Sequence, residues 1–425
     1  MFQKCETKHV NDDTALSIRV PCFGRGLGVY GAAGLAFLMA LCASTEPARA
    51  STAVWYYDSS GAVTFRDFVQ GNSGYLDCFF QIGGDAVPLG VPSTPVVGIA
   101  AFMDGNSARP SAFVTSTGGA LEKVYWSGTQ WQSTSFGPPS ATVAAGGALA
   151  SAQFNNGSHS VQLAFVNGND GKVYQANDSG WRPGGPDTLS SSPGFTLDSL
   201  DATATVGSYG STKTNVVAFG AGSDNSGNAG IYVGTGTAGT GSTSVALAWS
   251  HQSPPPGTTL YGQLGAVTYF DGSQQWRTFV RGNDTKLHVL WASAAQYSLP
   301  SAGSWQWDTP QIFVGAPAGG IGHNISAIEY DDGTAHRIRV FVGGSGNLWS
   351  LNWDSDNSGN GGWSWLNHGK PGPDVDASAS PNSIQALTYF YTSRNIDVFV
   401  KGSDGLLYVR RWNGVAWGWT IGVHT

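Results

Sequence analysis

At 425 residues, with 60 Gly, 41% hydrophobic and only 12% charged side chains, the chain is neither a disordered polymer nor a helical one, and its 16 Trp supply ample apolar surface for a core. The formal net charge of −7 is spread along the chain without a basic stripe, which argues against nucleic acid as a partner. A weakly charged, aromatic-rich surface suits neutral ligands instead.

Met1 to Ala50 differs in kind from the remainder of the chain. Gly26 to Ala43 lacks charge and contains the apolar run Ala32 to Leu41, and Ala48-Arg-Ala50 then gives the small-x-small pattern of a signal-peptidase site. The expectation is a secretory signal at 1–50, removed after Ala50, and a secreted, extracellular mature chain of 51–425. An n-region carrying Lys4, Lys8, Arg19 and Arg25 together with Glu6, Asp12 and Asp13 is long for a signal, which a true start downstream of Met1 would explain. The alternative is an uncleaved anchor, since 18 uncharged residues approach spanning length. Leu41 before Cys42 argues against a lipoprotein. Cys5, Cys22 and Cys42 fall in the leader, so the mature chain keeps Cys78 alone and holds no intrachain disulfide.

From Ser51 onward one phrase recurs: a strand, a tight turn and a second strand, clearest as Asp397-Val-Phe-Val-Lys-Gly-Ser-Asp-Gly-Leu-Leu-Tyr408. Its Phe returns as Phe68, Phe113, Phe165, Phe219, Phe279, Phe341 and Phe399, spaced 45 to 62 residues apart. Another strand ending in an aromatic precedes most copies, as in Ala53 to Asp58, Ile99 to Gly105, Val267 to Gly272, Ile328 to Gly333 and Leu387 to Phe390. A fourth strand comes after the hairpin, with Trp-x-Trp in the last three units: Trp305/Trp307, Trp363/Trp365 and Trp417/Trp419. Four short antiparallel strands per repeat cannot bury both faces of one sheet, so the spacing predicts an all-β, seven-bladed β-propeller of four-stranded antiparallel blades. Unit one runs to about Pro92, two to Ser140, three to Leu189, four to Gly257, five to Pro317 and six to Pro373. Unit four fits worst: its turn swells over Gly222 to Gly230, and the Gly/Thr/Ser-rich Gly234 to Thr243 reads as loop.

Phe-Val-x-Gly-x-Asp-Gly-x-Leu-Tyr, followed by Trp and then Trp-x-Trp, resembles the repeat of the bacterial seven-bladed propeller lectins of the Photorhabdus lectin type. The match is best over Asp397 to Tyr408 with Trp412 and Trp417-Gly-Trp419, good in units five and six, partial in units one to three and poor in unit four. The resemblance implies a secreted lectin that binds fucose or related, including O-methylated, sugars between neighbouring blades without a metal. The six-bladed fucose-specific lectins of the Aleuria type are more distantly similar. They hold fucose with an Arg on the second strand, a Glu on the third and a Trp. Arg66, Arg277 and Arg339 occupy the first position; the Glu is missing in those units.

Sugar recognition needs aromatic faces for the C–H side of a pyranose and forked donors or carboxylates for its hydroxyls. The candidate sugar-binding residues are the loop-side Trp131, Trp305, Trp363 and Trp417, the second-strand Arg277 and Arg339, and the third-strand His288, Trp349 and Tyr408. Each has a structural alternative: the Trp as wedges between blades, the Arg as ties to a neighbouring Asp, and the third-strand residues as packing. Repeated weak sites would gain strength through avidity.

Other readings compete. Asp354 to Gly359 resembles a calcium loop but puts Trp365 where a bidentate Glu belongs. Ser355 to Trp363 only loosely matches the Asp-box of sialidases. A propeller-type glycoside hydrolase would need two carboxylates facing across a cleft, and Glu122 and Glu329 are among the few carboxylates outside turns. A protein-interaction scaffold is the remaining alternative. The sequons at Asn156, Asn177, Asn283 and Asn324 arise from turn composition. The expectation is therefore a non-enzymatic lectin with no cofactor and no metal, whose partners are fucosylated or methylated glycans, with no nucleic acid, no membrane after signal cleavage, and homo-oligomerisation left open.

Overall fold

A computed structural model describes residues 53–423, apart from 58–62, 71–73, 80–86, 105–106, 108, 139–147, 157, 182–194, 207–213, 225–226, 309–315, 358–361, 378–382 and 391–393. The leader lies outside the described residues. Within them, seven four-stranded antiparallel sheets succeed one another in sequence order. Blade one comprises Ala53–Tyr57, Val63–Gln70, Leu76–Phe79 and Val87–Pro88; blade two comprises Val96–Asp104, Arg109–Ser116, Leu121–Trp126 and Trp131–Gly137. Blade three has Leu149–Asn155, Ser160–Asn167, Val173–Asn177 and Gly180–Trp181, and blade four has Phe195–Val206, Thr214–Asp224, Ala229–Ala238 and Ala248–Gln252. Blade five has Leu260–Phe270, Gln274–Gly282, Leu287–Ala294 and Gln306–Trp307, blade six Ile325–Asp331, His336–Gly344, Asn347–Asp354 and Trp363–Gly369, and blade seven Ile384–Phe390, Arg394–Lys401, Leu407–Trp412 and Trp417–Val423. The first strand of each blade packs on that of the next, and the first strand of blade one packs on that of blade seven, which closes a seven-bladed propeller.

The recurring Phe explains the repeat. All seven are 0–2% exposed, and each belongs to a different apolar cluster, one per joint between neighbouring blades. Each second strand thus inserts its Phe toward the next blade, and burial of a side chain of this size contributes roughly 1.5–3 kcal/mol per joint. The rings of Trp131, Trp305, Trp363 and Trp417 meet Phe68, Phe219, Phe279 and Phe341 of the preceding blade at 5.5 to 6.1 Å, edge to face. The Trp two residues further on latches the same joint: Trp307 donates its indole N–H to the Ser253 carbonyl at 2.7 Å and Trp419 to the His368 carbonyl at 3.0 Å, as Trp181 does to Phe136.

The turn of the phrase is locked by its own side chains. Asp170 accepts from the Tyr174 hydroxyl at 2.7 Å, Asp404 from Tyr408 at 2.6 Å, and Asp284 lies 3.1 Å from His288 Nε2. Each Asp also accepts from the N–H two residues on, at Lys172, Leu406 and Lys286. A Cβ on Gly168, Gly282 or Gly402 would collide with that ring, which is why the phrase carries Gly there.

Blade four corrects the expectation of a loop over Gly234 to Thr243. Its third strand continues to Ala238, and its first strand, at 12 residues, is the longest among the described residues. The small residues serve contact: a Cβ on Gly234 would meet the Trp249 ring at 2.7 Å. Low side-chain bulk is a packing requirement here, and it mimics a loop in sequence.

Candidate functional site

The richest joint lies between blades five and six. Arg277 stands two residues before Phe279, so it shares that face and points at blade six. Its backbone partner on the first strand is Val267, which places Tyr269 diagonally across on the same face. The Arg277 Nε donates to the Tyr269 hydroxyl at 3.1 Å, and Nη1 lies 3.8 Å from Asp308 at the end of the fourth strand. Around the guanidinium stand four rings: Tyr269 at 5.7 Å and Trp291 at 5.9 Å from blade five, Trp353 at 5.7 Å and Trp363 at 5.4 Å from blade six. Face-on contacts of this kind are worth about 0.5–2 kcal/mol each. The Arg277 side chain keeps 12% exposure.

Burial pushes the Asp308 carboxyl above the ordinary carboxylate range, against the pull of Arg277 and of a hydrogen bond from Trp291. Burial likewise raises Tyr269, with Arg277 opposing. The joint therefore combines a forked donor, a hydroxyl, a carboxylate acceptor and aromatic walls, held by two separate sheets.

The same register recurs twice. In blade six, Arg339 lies over Tyr330 at 5.7 Å and faces the wall formed by Trp412 and Trp417 of blade seven, whose rings are 5.7 Å apart. In blade one, Arg66 lies over Tyr56 at 5.2 Å, and the wall is Trp126 with Trp131 of blade two at 5.5 Å. Each Trp pair is a direct cross-strand pair of the third and fourth strands: Trp126 with Trp131, Trp353 with Trp363, Trp412 with Trp417. The forks differ in their commitments. Nη1 of Arg339 already serves the Ile338 and Trp353 carbonyls and Asp354 at 2.8 Å.

The other joints are built differently. Between blades seven and one, the second-strand position carries Asp397, which receives both Nε and Nη2 of Arg411 at 2.6 Å and the Tyr389 hydroxyl at 3.3 Å. Between two and three, Lys123 pairs with Asp178 at 2.9 Å and Asp104 at 3.8 Å. Between three and four, and four and five, the Arg position holds Leu163 and Val217, both fully buried.

The predicted residues therefore separate. Arg277, Arg339, Trp131, Trp363 and Trp417 line the three Arg joints. Trp305, 8% exposed, and Trp363, 5% exposed, each sit in the apolar cluster of their joint, but the Arg position facing Trp305 holds Val217 where that facing Trp363 holds Arg277. His288 and Tyr408 are buried in the hairpin locks, and Trp349 donates its N–H to Gly344 O at 3.1 Å at the corresponding place in blade six. Sequence reasoning missed Tyr269, Tyr330, Trp291, Trp353, Trp412 and Asp308. The signal for the tyrosines was present, since four first strands place a Tyr two residues beyond the partner of the Arg position: Tyr56, Tyr269, Tyr330 and Tyr389.

The Asp-rich stretch after Asp354 is held by a guanidinium. Arg337 binds Asp332 at 2.8 Å, Asp354 at 3.3 Å and Asp356 at 2.5 Å. Burial alone would raise the Asp332 carboxyl, but hydrogen bonds from Thr334, Arg337 and the Ala335 N–H overcome it and hold it well below the carboxylate range. Among the described residues, no group of three His, Cys, Asp or Glu is placed to hold a metal ion. Glu122 and Glu329 belong to blades two and six, which are not neighbours in the ring.

No family model matches the chain, and no curated protein matches it in sequence. Solved structures do match in fold. The BP39L lectin from Burkholderia pseudomallei superposes with a TM-score of 0.58 at 19% identity, over 89% of this chain and 99% of that one. An Aleuria aurantia lectin mutant in complex with Fucα1-6GlcNAc gives a TM-score of 0.48 at 17% identity, over 75% and 93%. AofleA from Arthrobotrys oligospora gives 0.44 at 12% identity, over 89% and 94%. At such identities the likeness is one of fold.

Proposed function

We propose that the protein is a carbohydrate-binding lectin without catalytic activity, which takes fucose or a related neutral sugar, O-methylated forms included, in pockets between blades. The observation that carries this reading is the Arg277 joint: a planar fork and a carboxylate beside four aromatic rings, which is the donor, acceptor and C–H surface that a pyranose presents in complement. The sugar ring would stack on the Trp353/Trp363 wall, with its hydroxyls shared between Arg277 and Asp308. The fold common to BP39L, itself described as a lectin, supports the reading, as does the repeat phrase. The chain would act outside the cell after loss of the leader, several sites joining in avidity on a glycosylated surface.

A glycan array probed with the chain from Ser51, with and without a chelator, tests this. Binding to fucosylated or methylated glycans that survives chelation is expected. Arg277→Ala should weaken that binding about 10- to 100-fold at its joint, the worth of charge-assisted hydrogen bonds of roughly 1.5–3 kcal/mol. Absence of binding to any glycan overturns the reading and reopens the hydrolase and scaffold alternatives. Amino-terminal sequencing of the secreted chain checks cleavage, with Ser51 as the expected first residue.

A further inference from the structure

We propose that the ring carries three working sugar sites, all on one arc, at the joints between blades five and six, six and seven, and one and two, while the joints around blades three and four carry none. The inference rests on the lectin reading and goes beyond it in assigning which joints work. Its first support is a register rule. A joint has a first-strand Tyr diagonal to a second-strand Arg on one blade and a cross-strand Trp pair on the next in only three described cases: Tyr56/Arg66 with Trp126/Trp131, Tyr269/Arg277 with Trp353/Trp363, and Tyr330/Arg339 with Trp412/Trp417.

The second support is what replaces these residues elsewhere. Between blades four and five, Ala292 stands where Trp353 stands in blade six, and the space is filled by Trp276, 0% exposed, beside Val217. Between three and four, Gly236 takes that position against Leu163, and Val245 packs over it. Between two and three, Lys123 is committed to two carboxylates. Apolar filling removes the donors a hydroxyl would need, and between blades two and three a single ammonium spent on two carboxylates stands where the other joints have a five-donor fork.

The joint between blades seven and one falls inside the arc and is shut. It keeps the Tyr, as Tyr389, but inverts the charges: the second strand holds Asp397 and the third Arg411, and the two satisfy each other at 2.6 Å twice over. Four consecutive joints thus share the Tyr: in three the second strand carries an Arg on the face toward the next blade's Trp pair, Arg339 being partly engaged by Asp354, and in one it carries the inverted pair. With seven blades the arc spans about 150° of the ring, so the sites address one flank and suit several chains of a single glycan-bearing surface.

Native mass spectrometry and calorimetric titration with methyl α-L-fucoside decide the matter. Three fucosides per chain are expected, falling to two in each of Arg66→Ala, Arg277→Ala and Arg339→Ala. The matching Lys variants should lose the same site, because a point charge does not replace the fork. They serve as the second measurement should an Ala variant fail to fold. Ser111→Ala, at the Arg position of the joint between blades two and three, should leave three. A stoichiometry of one, four or seven, or retention of all three sites in Arg66→Ala, overturns the arc and leaves the lectin reading standing. No fucoside bound by the unmodified chain, with the array also negative, sinks the lectin reading instead.

Discussion

Tyr408 shows how a residue can repeat along a chain for reasons unrelated to a ligand. Its hydroxyl is tied to Asp404 at 2.6 Å, its ring covers Gly402, and burial with that hydrogen bond pushes the phenol up to about 12. Tyr174 and His288 repeat the arrangement in blades three and five. The Asp, Gly and Tyr of the phrase therefore serve the hairpin. Tyr408→Phe should lower stability by about 1.5–3 kcal/mol in chemical denaturation, the loss of one hydrogen bond to a charged acceptor, and leave fucoside affinity unchanged. A tenfold loss of affinity would return Tyr408 to the binding site. Under the proposed function, what marks a candidate ligand residue in this ring is its place two positions before the buried Phe, as for Arg277, rather than its recurrence in the turn.

At the level of the strand pair, the joint between blades seven and one exposes an asymmetry. Asp397 is 0% exposed and Arg411 34%. Removing the arginine strands a carboxylate in the core, whereas removing the aspartate leaves a guanidinium that reaches water. Arg411→Met should cost roughly 3–5 kcal/mol and Asp397→Ala about 1–2 kcal/mol, and a double Asp397→Leu/Arg411→Met variant should recover most of the larger loss. Equal costs for the two single variants would show that the pair is worth no more than a surface salt bridge. This joint matters because, among the described residues, each blade is built from contiguous sequence and no exchanged strand fastens the first blade to the last. The closing contact rests on Ala53, Val69, Leu387, Tyr389, Phe399, Leu407 and Val409 together with this ion pair.

At the scale of the whole ring, one buried histidine contributes to the dependence of stability on acid, alongside the carboxylates of Asp332, Asp170 and Asp284, which are held below their ordinary range. His368 lies between blades six and seven, 4.5 Å from the Trp417 ring and 2.9 Å from Ser350 Oγ. Burial, with the charges of Arg410 and Arg339, lowers its pKa from 6.5 to about 3. The unfolded chain therefore takes up the proton first: the contribution of His368 is intact above pH 6.5 and is lost as pH falls toward 3. The unfolding midpoint should drop on acidification through this window, and His368→Gln should flatten part of the drop. A slope unchanged by the substitution would place the acid sensitivity elsewhere.

How much of this was written in the sequence depends on the range of the interaction. The seven Phe, the Asp-Gly turns and the Trp-x-Trp pairs are local patterns of alternation and turn chemistry, so the number of blades and the strands of each could be read from residues a few positions apart. Arg277 and Arg339 were legible for the same reason, standing at a fixed offset from a recognisable Phe. Blade four misled because Gly234 and Gly236 are small to admit Trp249 and Val245, a contact that sequence proximity does not reveal. The cage was legible only in part: Arg277 and Trp363 were in view, but Trp353 and Asp308 reach the same guanidinium from a different blade and from the end of a different strand. Strand pairing within a blade is short-range, so residue order alone sets the repeat and thereby the fold. Which joints hold a fork against a Trp pair, and which are sealed, is settled at the tertiary level, because that outcome depends on two consecutive blades meeting face to face across the ring.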